Sequence, residues 1–472
     1  MSHTKVVATI GPATQSKEVL RQMFAAGINV CRLNFSHGAH EDHLKNIKNI
    51  IELNKEMSTN VSILADLQGP KLRIGDVQNR IIELQDGQMI DLVTDECLCT
   101  IEQLYINYPE FAKDVKRGEA VLIDDGKIKL EVIKTNKKNK VNAKVIFGGP
   151  LTSKKGINLP DSKLSLPSLT EKDINDACFA LQNHIDWIAL SFVRSADDLI
   201  ALRNLCRSQK KHARIIAKIE KPEALDNIDA IIEASDGIMV ARGDLGVEVP
   251  FDHVPILQKV IAKKCIERVK PVIIATQMLE SMILNFRPTR AEANDVANAV
   301  LDGADAVMLS AETASGRYPV EAVKAMHQII DWTEKNGFPF NRETAPVVNS
   351  NTFLPDSLCL SACRMANQAN AKAIVSFTYS GYTAMRIASH RPNAETFVFT
   401  PNKALVRTMA LIWGVHAYYS DESDNIDHVI EQSNEILKQH GFIKKGDVVV
   451  HVGSTPLLKK GQTNMIKLSS VG

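Results

Sequence analysis

The sequence has almost no excess of either charge: 56 Lys and Arg stand against 55 Asp and Glu, a formal balance of +1. No global field therefore recruits nucleic acid or an anionic membrane, and basic side chains matter only where they cluster in space. The eight cysteines, at 31, 97, 99, 178, 206, 265, 359 and 363, are scattered with no C-x-x-C pair. That pattern argues for a reducing compartment over a disulfide framework. No apolar stretch approaches the roughly 18 residues of a membrane span, and the first residues enter a strand-like run without a leader pattern. A cytoplasmic chain is expected, with neither nucleic acid nor membrane as partner. Glycine (24) and proline (18) are too few for a fibrous or disordered protein. Two phosphate-binding patterns are also missing, G-x-x-x-x-G-K-[ST] and G-x-G-x-x-G. Any phosphate must then be held by side chains, with Arg32, Arg73 and Lys218 as candidates.

What is present is a rhythm. Short β-branched runs recur: KVVATI (5–10), NVCRLNF (29–35), VSILADL (61–67), DWIALSF (186–192), RIIAKIE (214–220), GIMVARG (237–243), PVIIATQ (271–277) and DAVMLSA (305–311). Most intervals are about 22 to 35 residues, one βα unit each, and apolar strands alternating with helices indicate a buried parallel sheet. Eight units predict an α/β fold, a (β/α)8 TIM barrel over residues 1–70 and 168–337. Roughly 119 residues separate the third run from the fourth. Alternating runs there, such as IIELQDGQMIDLV and EAVLIDDGKIKLEVI, predict an inserted small β-barrel lid domain over 71–167. The helical PVEAVKAMHQIIDWTEKNG (319–337) closes the last unit. A polar linker leads into a C-terminal open α/β domain within 338–472, with strands in AKAIVSF, TFVFT, HAYYS and DVVVHVG.

In such a barrel the working residues come from the C-terminal ends of the strands, on the inward phase of the period-two pattern. Arg32, Asn34 and Ser36 end strand two; Asp66 ends strand three; Lys218 and Glu220 end strand five; Arg242 and Asp244 strand six; Thr276 strand seven; Ser310 and Glu312 strand eight. One polar residue at a strand end is ordinarily a cap, but polar groups converging on one barrel mouth are expensive to bury without a use. Glu220 and Asp244 supply two carboxylates from neighbouring strands, enough for magnesium completed by water and substrate oxygens. Lys218 stands one step below Glu220; an interior salt bridge from Lys218 to either carboxylate is the plainer use of this trio. ARGDLG (241–246) offers successive backbone N–H groups to a carboxylate. His37, His40 and His43 are three apart, but no Cys or fourth ligand accompanies them, and a helix face explains the spacing as well as zinc does. SFTYSGYT (376–383) runs from strand to helix through a hydroxyl-rich turn, either a phosphate cradle or an ordinary helix cap.

These residues lie in segments that together resemble the pyruvate kinase family across nearly the whole chain: ATIGPA (8–13), RLNFSHG (32–38), DLQGPKLR (66–73), KGINLP (155–160), AKIEKPE (217–223), DGIMVARGDLGVE (236–248), ATQMLESM (275–282), the run RPTRAEANDVANAVLDGADAVMLSAETASGRYP (287–319) and KKGDVVV (444–450). The resemblance implies transfer of the phosphoryl group of phosphoenolpyruvate to ADP, giving pyruvate and ATP, the last step of glycolysis. It implies that Glu220 and Asp244 hold Mg2+ or Mn2+, that Lys218 stabilises the transferring phosphoryl and the enolate, and that Arg32 binds phosphate. Ala241, Arg242, Gly243 and Asp244 would receive the carboxylate through their backbone, with Thr276, which also lies near the proton delivered to the enolate. Asn34, His37, Arg73 and Lys155 match positions near the nucleotide, and Asp125 a matched acidic position of the lid. A metal-dependent pyruvate-enolate lyase or aldolase, and a catalytically dead sugar-phosphate sensor, are the rival expectations.

The resemblance also carries two departures. A monovalent cation in the family is held by groups matching Asn34, Ser36, Asp66 and the carbonyl of Leu67, with a Glu following in GPE. Here the stretch reads GPK, and Leu67, Gln68 and Ile74 replace Thr, Lys and Thr. Lys71 is therefore expected to act as an internal cation near Asp66, and K+ is expected not to be required. The family's phosphorylated effector would sit at Ser376, Thr378, Ser380, Gly381 and Thr383, but Tyr382 stands where a basic residue is usual. A sugar monophosphate or AMP is expected, rather than fructose 1,6-bisphosphate, acting on a homotetramer.

Overall fold

The computed structural model describes residues 2–421, 425–456 and 463–472. Eight parallel strands, β1 (Lys5–Ile10), β2 (Val30–Asn34), β3 (Ser62–Asp66), β4 (Trp187–Leu190), β5 (Arg214–Ile219), β6 (Gly237–Ala241), β7 (Val272–Ala275) and β8 (Ala306–Leu309), close into a barrel in the order β1-β8-β7-β6-β5-β4-β3-β2. Period-two alternation splits their side chains into two cores. Val6, Cys31, Leu33, Ile63, Ile188 and Val240 join the layer shared with the surrounding helices, while Val7, Val30, Leu64, Trp187, Ile216 and Met239 fill the interior. Two residues further along the inward phase, apolar side chains give way to polar ones: Val7 to Thr9, Val30 to Arg32, Leu64 to Asp66, Ala189 to Ser191, Ile216 to Lys218. The barrel is thus greasy below and charged at its mouth.

Of the helices, α1 (His40–Glu56), α2 (Glu171–Gln182), α3 (Arg242–Glu248), α4 (Val254–Glu267) and α5 (Pro319–Gly337) surround the barrel. The expected position of Arg242 and Asp244 at a strand end is corrected here. β6 stops at Ala241, and Arg242 opens the short helix α3, so Asp244 sits in a helical first turn.

The inserted segment folds into a curled six-stranded sheet and a two-stranded pair, with one helical turn at Phe111–Asp114. Its core, including Leu84, Leu92, Leu104, Val121, Leu130 and Val145, is a cluster distinct from those of the barrel. After α5, helices α6 (Phe353–Gln368) and α7 (Tyr382–Ser389) pack with strands β9 (Ala373–Phe377), β10 (Glu395–Thr400), β11 (Val415–Tyr419), β12 (Val448–Gly453) and β13 (Met465–Ser470) in the order β11-β10-β9-β12-β13. The strand β13 was not anticipated; it is an antiparallel edge strand that buries little, so its apolar signal is weak. The C-terminal unit plugs the barrel's lower end. Ala388, Leu405, Met409 and Ile412 belong to the same cluster as the barrel interior, and Lys5 Nζ donates to the Val415 carbonyl at 3.0 Å.

Candidate active site

Four charged side chains interlock on the inner face at the mouth. Arg32 Nε donates to Asp66 Oδ2 at 2.6 Å and its Nη1 to Thr9 Oγ1 at 3.0 Å. Lys218 Nζ makes ion-pair contacts with Asp66 Oδ1 at 3.1 Å and Glu220 Oε1 at 3.0 Å, and donates to Ser191 Oγ at 2.7 Å. The Phe192 N–H holds the other Glu220 oxygen at 2.7 Å. The Lys218–Glu220 salt bridge weighed from sequence is present, and Lys218 reaches Asp66 as well. Ser191 was missed, although Trp187, Ala189 and Ser191 continue the inward phase of β4 and mark it.

Burial fixes the protonation of this cluster. Asp66 is 1% exposed; burial pushes its carboxyl up, but Arg32 and Lys218 outweigh that and hold it below the usual range. Burial pulls Lys218 down, yet Asp66 and Glu220 more than compensate, so the ammonium keeps its proton across the ordinary pH range. Glu220 is raised: burial acts first, Lys218 opposes it, and Asp244 adds repulsion. Asp244 itself faces the cleft between barrel and lid, beside Lys71 and Asp125.

Thr276 has φ +69° and Gln277 φ +54°. Positive φ is a strained setting for a β-branched residue, and here it aims Thr276 Oγ1 at α3, where it accepts from the Gly243 N–H at 2.7 Å. Arg242 does not join the mouth. Its Nη2 pairs with Asp295 Oδ2 at 2.7 Å and donates to the Thr276 carbonyl at 2.8 Å, which braces the strained turn from behind. Glu312 also turns away, accepting from the Ser310 and Leu279 N–H groups at 2.7 and 3.1 Å.

Of the residues expected near a nucleotide, Asn34 and His37 stand on the barrel at and after the end of β2, and Arg73 and Lys155 on the lid. Burial, with the nearby charges of Arg73, Lys71 and Arg32, lowers the pKa of His37 and favours the neutral ring. Arg73 Nη1 donates to the Lys154 carbonyl at 2.8 Å, and Lys155 Nζ pairs with Asp124, not Asp125, at 2.8 Å. Asn34 Oδ1 accepts from the Ser36 N–H at 3.1 Å, shaping the turn after β2. The zinc spacing is explained differently. His40 Nε2 bonds Asp176 at 2.7 Å and His43 Nε2 the His37 carbonyl at 3.0 Å, so both pin this loop to α1 and α2. Among the described residues no group of three or more His, Cys, Asp or Glu is placed to hold a metal.

Lys71 does not sit at Asp66, and that expectation is corrected: both Asp66 oxygens face Arg32 and Lys218. Lys71 instead lies over Gly156 of the lid and lines the cleft with Asp125 and Asp244. The Leu67 carbonyl accepts from Ser191 Oγ at 2.6 Å. In the C-terminal unit, Thr378 Oγ1 accepts from the Gly381 N–H at 3.1 Å, Gly381 takes φ +84°, and Ser380 Oγ accepts from the Tyr382 N–H at 3.4 Å. Ser376 is fully buried and Thr383 bonds Thr463 at 2.8 Å, so these two lie beneath the turn rather than on it. Tyr382 Oη donates to Asp356 at 2.6 Å.

The likeness to known proteins covers the whole of this framework. The family pattern described as the pyruvate kinase barrel domain matches residues 1–323, and that of the pyruvate kinase alpha/beta domain matches 356–469. A pyruvate kinase of Geobacillus stearothermophilus is 45% identical over 467 residues, 98% of this chain and 80% of that protein. One from Agrobacterium vitis is 42% identical over 471 residues, 99% and 98% of the two chains. A crystal structure of a pyruvate kinase from Cryptosporidium parvum superposes with a TM-score of 0.93 at 35% identity, covering 100% of this chain and 96% of that one. With both family patterns in sequence order, and a barrel whose mouth carries the matched charged positions beneath a lid, the chain belongs to the pyruvate kinase family.

Proposed function

We propose that the barrel mouth transfers the phosphoryl group of phosphoenolpyruvate to ADP, giving pyruvate and ATP. The observation that carries the reading is the interlocked set Arg32, Asp66, Lys218 and Glu220, joined through Phe192 and Asp244 to a cleft that Lys71 and Asp125 also line. Both substrates are polyanions, and two unit charges about 4 Å apart repel by roughly 4 kcal/mol at an effective dielectric near 20. Phosphoryl transfer is catalysed chiefly by positioning and by neutralising such charge. Arg32, fixed by Asp66 and Thr9, presents its guanidinium to phosphate without reorganising. Lys218, locked in its charged form, faces the position where negative charge accumulates on the phosphoryl and the enolate. Backbone N–H groups from Ala241 to Asp244, with Thr276, receive the substrate carboxylate. Asn34, His37, Arg73 and Lys155 bind the nucleotide.

Glu220 and Asp244 fit a divalent cation. They are neighbouring carboxylates whose repulsion contributes to raising Glu220, and no third acidic, His or Cys group joins them among the described residues. That leaves positions for substrate oxygens and water, the pattern of Mg2+ or Mn2+. Glu220 and Asp244 would hold the cation, which would supply positive charge to neutralise substrate oxygens. K+ is not required in this reading, with Lys71 contributing its charge to the cleft instead of to Asp66. The turn at Thr378, Ser380 and Gly381 takes a sugar monophosphate or AMP, since Tyr382 bound to Asp356 adds no cation. Phe251 (83% exposed) and Ile256 (62% exposed) present an apolar face around the start of α4 that suits a second copy, and a homotetramer in the cytoplasm is the proposed form. No helix among the described residues is long and apolar enough to cross a membrane.

The test is a coupled assay of pyruvate release from phosphoenolpyruvate with and without ADP and Mg2+. Release that depends on both is expected; equal release without ADP would overturn the phosphotransfer reading.

A further inference from the structure

We infer that Glu248 is a positioning residue through which the lid holds α3, and with it Asp244, in place. The inference rests on the reading of the mouth as a metal and nucleotide site. Asp244 and Glu248 are four residues apart on one short helix and therefore share a face. The Glu248 side chain is 0% exposed, and one oxygen, Oε1, takes both of its hydrogen bonds: from Lys221 Nζ at 2.6 Å and from Asn158 Nδ2 at 2.8 Å. Its other oxygen, Oε2, is buried and has no hydrogen-bond partner. Among the described residues no third donor reaches this carboxylate, so its hydrogen bonds to Lys221 and Asn158 set where it sits.

Those two donors come from different bodies. Lys221 follows Glu220 at the end of β5, whereas Asn158 lies on the lid strand Ile157–Asn158, paired with Leu122 and Ile123 just before the loop that carries Asp124 and Asp125. The same loop approaches α3 one residue earlier, where a Cβ added to Gly126 would lie 3.7 Å from Val247 Cγ1. The lid therefore bonds α3 at Glu248 and lies close to it at Val247. Removing the Asn158 donor leaves a buried carboxylate with one partner in place of two, and a buried acceptor short of donors costs far more than the same bond made at the surface. A shift of the lid is consequently felt by α3, whose other end carries Asp244 and the Gly243 N–H bonded to Thr276.

The test uses the full-length protein with Asn158→Ala and with Asn158→Asp, the second placing a carboxylate against Glu248 Oε1. Hydrogen–deuterium exchange without substrates is expected to rise about fivefold across 242–248 in the first variant and more in the second, with β9 unchanged. In steady-state assays the KM for ADP and the Mg2+ half-saturation are expected to rise about three- to tenfold while kcat stays within about threefold. Asn158→Gln, which retains an amide donor, is expected to recover part of both effects. Unchanged exchange across 242–248 in both variants would overturn the tether whatever the activity. Raised exchange with wild-type ADP and Mg2+ responses would overturn the coupling to the site. Wild-type pyruvate release, measured separately, judges the phosphotransfer reading itself.

Discussion

Arg391 with Asp305 at the closed end of the barrel, and Lys218 with Asp66 and Glu220 at the open end, are both ion pairs taken out of water. At the closed end the positive charge meets a complete counter-charge, although Arg391 Nε itself has no hydrogen-bond partner among the described residues. Arg391 reaches both Asp305 oxygens at 3.1 and 3.2 Å and the Gly303 and Ala388 carbonyls at 2.7 and 2.9 Å, with its guanidinium over the Trp413 ring at 5.0 Å. At the mouth the pairs are as short, but the set includes Asp244, whose carboxylate meets the cleft and raises Glu220. A completed pair fastens two units together; an incomplete one, held rigid, is prepared for a ligand's charge.

The comparison breaks most sharply under Arg391→Met. Stability to urea is expected to fall by about 3–5 kcal/mol, because Asp305 is left buried without its partner, while kcat of the folded fraction stays within about twofold. A small stability change with a large loss of turnover would reverse the roles assigned to the two ends. Lys218→Met is the converse. It is expected to lower turnover about 10² to 10³-fold, on the order of 3 to 4 kcal/mol in the transition state, with a much smaller change in phosphoenolpyruvate affinity. Near wild-type turnover would refute the role of Lys218.

Lys71→Glu sharpens the contrast at the cleft. At constant ionic strength in tetramethylammonium salts, the variant is expected to lose about tenfold in rate and to regain it with K+, the positive charge having been reversed. Tenfold activation of the unaltered protein by K+ would sink the proposal. The smallest effect concerns His37. Its folded pKa lies below the ordinary value of about 6.5, so the unfolded chain binds the extra proton first. Its contribution to stability is present above about pH 6.5 and is lost as pH falls towards the folded pKa. Arg73→Ala and Lys71→Ala should each move the imidazole titration, followed by NMR, upwards; no movement in either would mean that burial and Arg32 set it.

Much of this was legible in the chain. Period two in the eight apolar runs places Arg32, Asp66 and Lys218 on the inward face before any contact is known, because successive strand residues must point to opposite sides. Helix α5 was readable to the residue from its apolar spacing. The strand β13 was not, since an exposed edge strand needs few apolar residues. Asn158 and Glu248 escaped notice for another reason: each looks like an ordinary polar residue until the lid is laid on α3.

The recurrence of eight apolar runs between helical stretches determined the barrel and its insertion after the third strand, and period two determined the face on which each mouth residue stands, because those follow from local backbone geometry. Tertiary structure decided which charges meet. Lys71 leans to Gly156 and away from Asp66, Arg242 turns to Asp295, and Glu312 folds back onto Ser310 and Leu279. A side chain's partner depends on the nearest donor or acceptor in space, and at this mouth most of those partners come from other segments, tens of residues away.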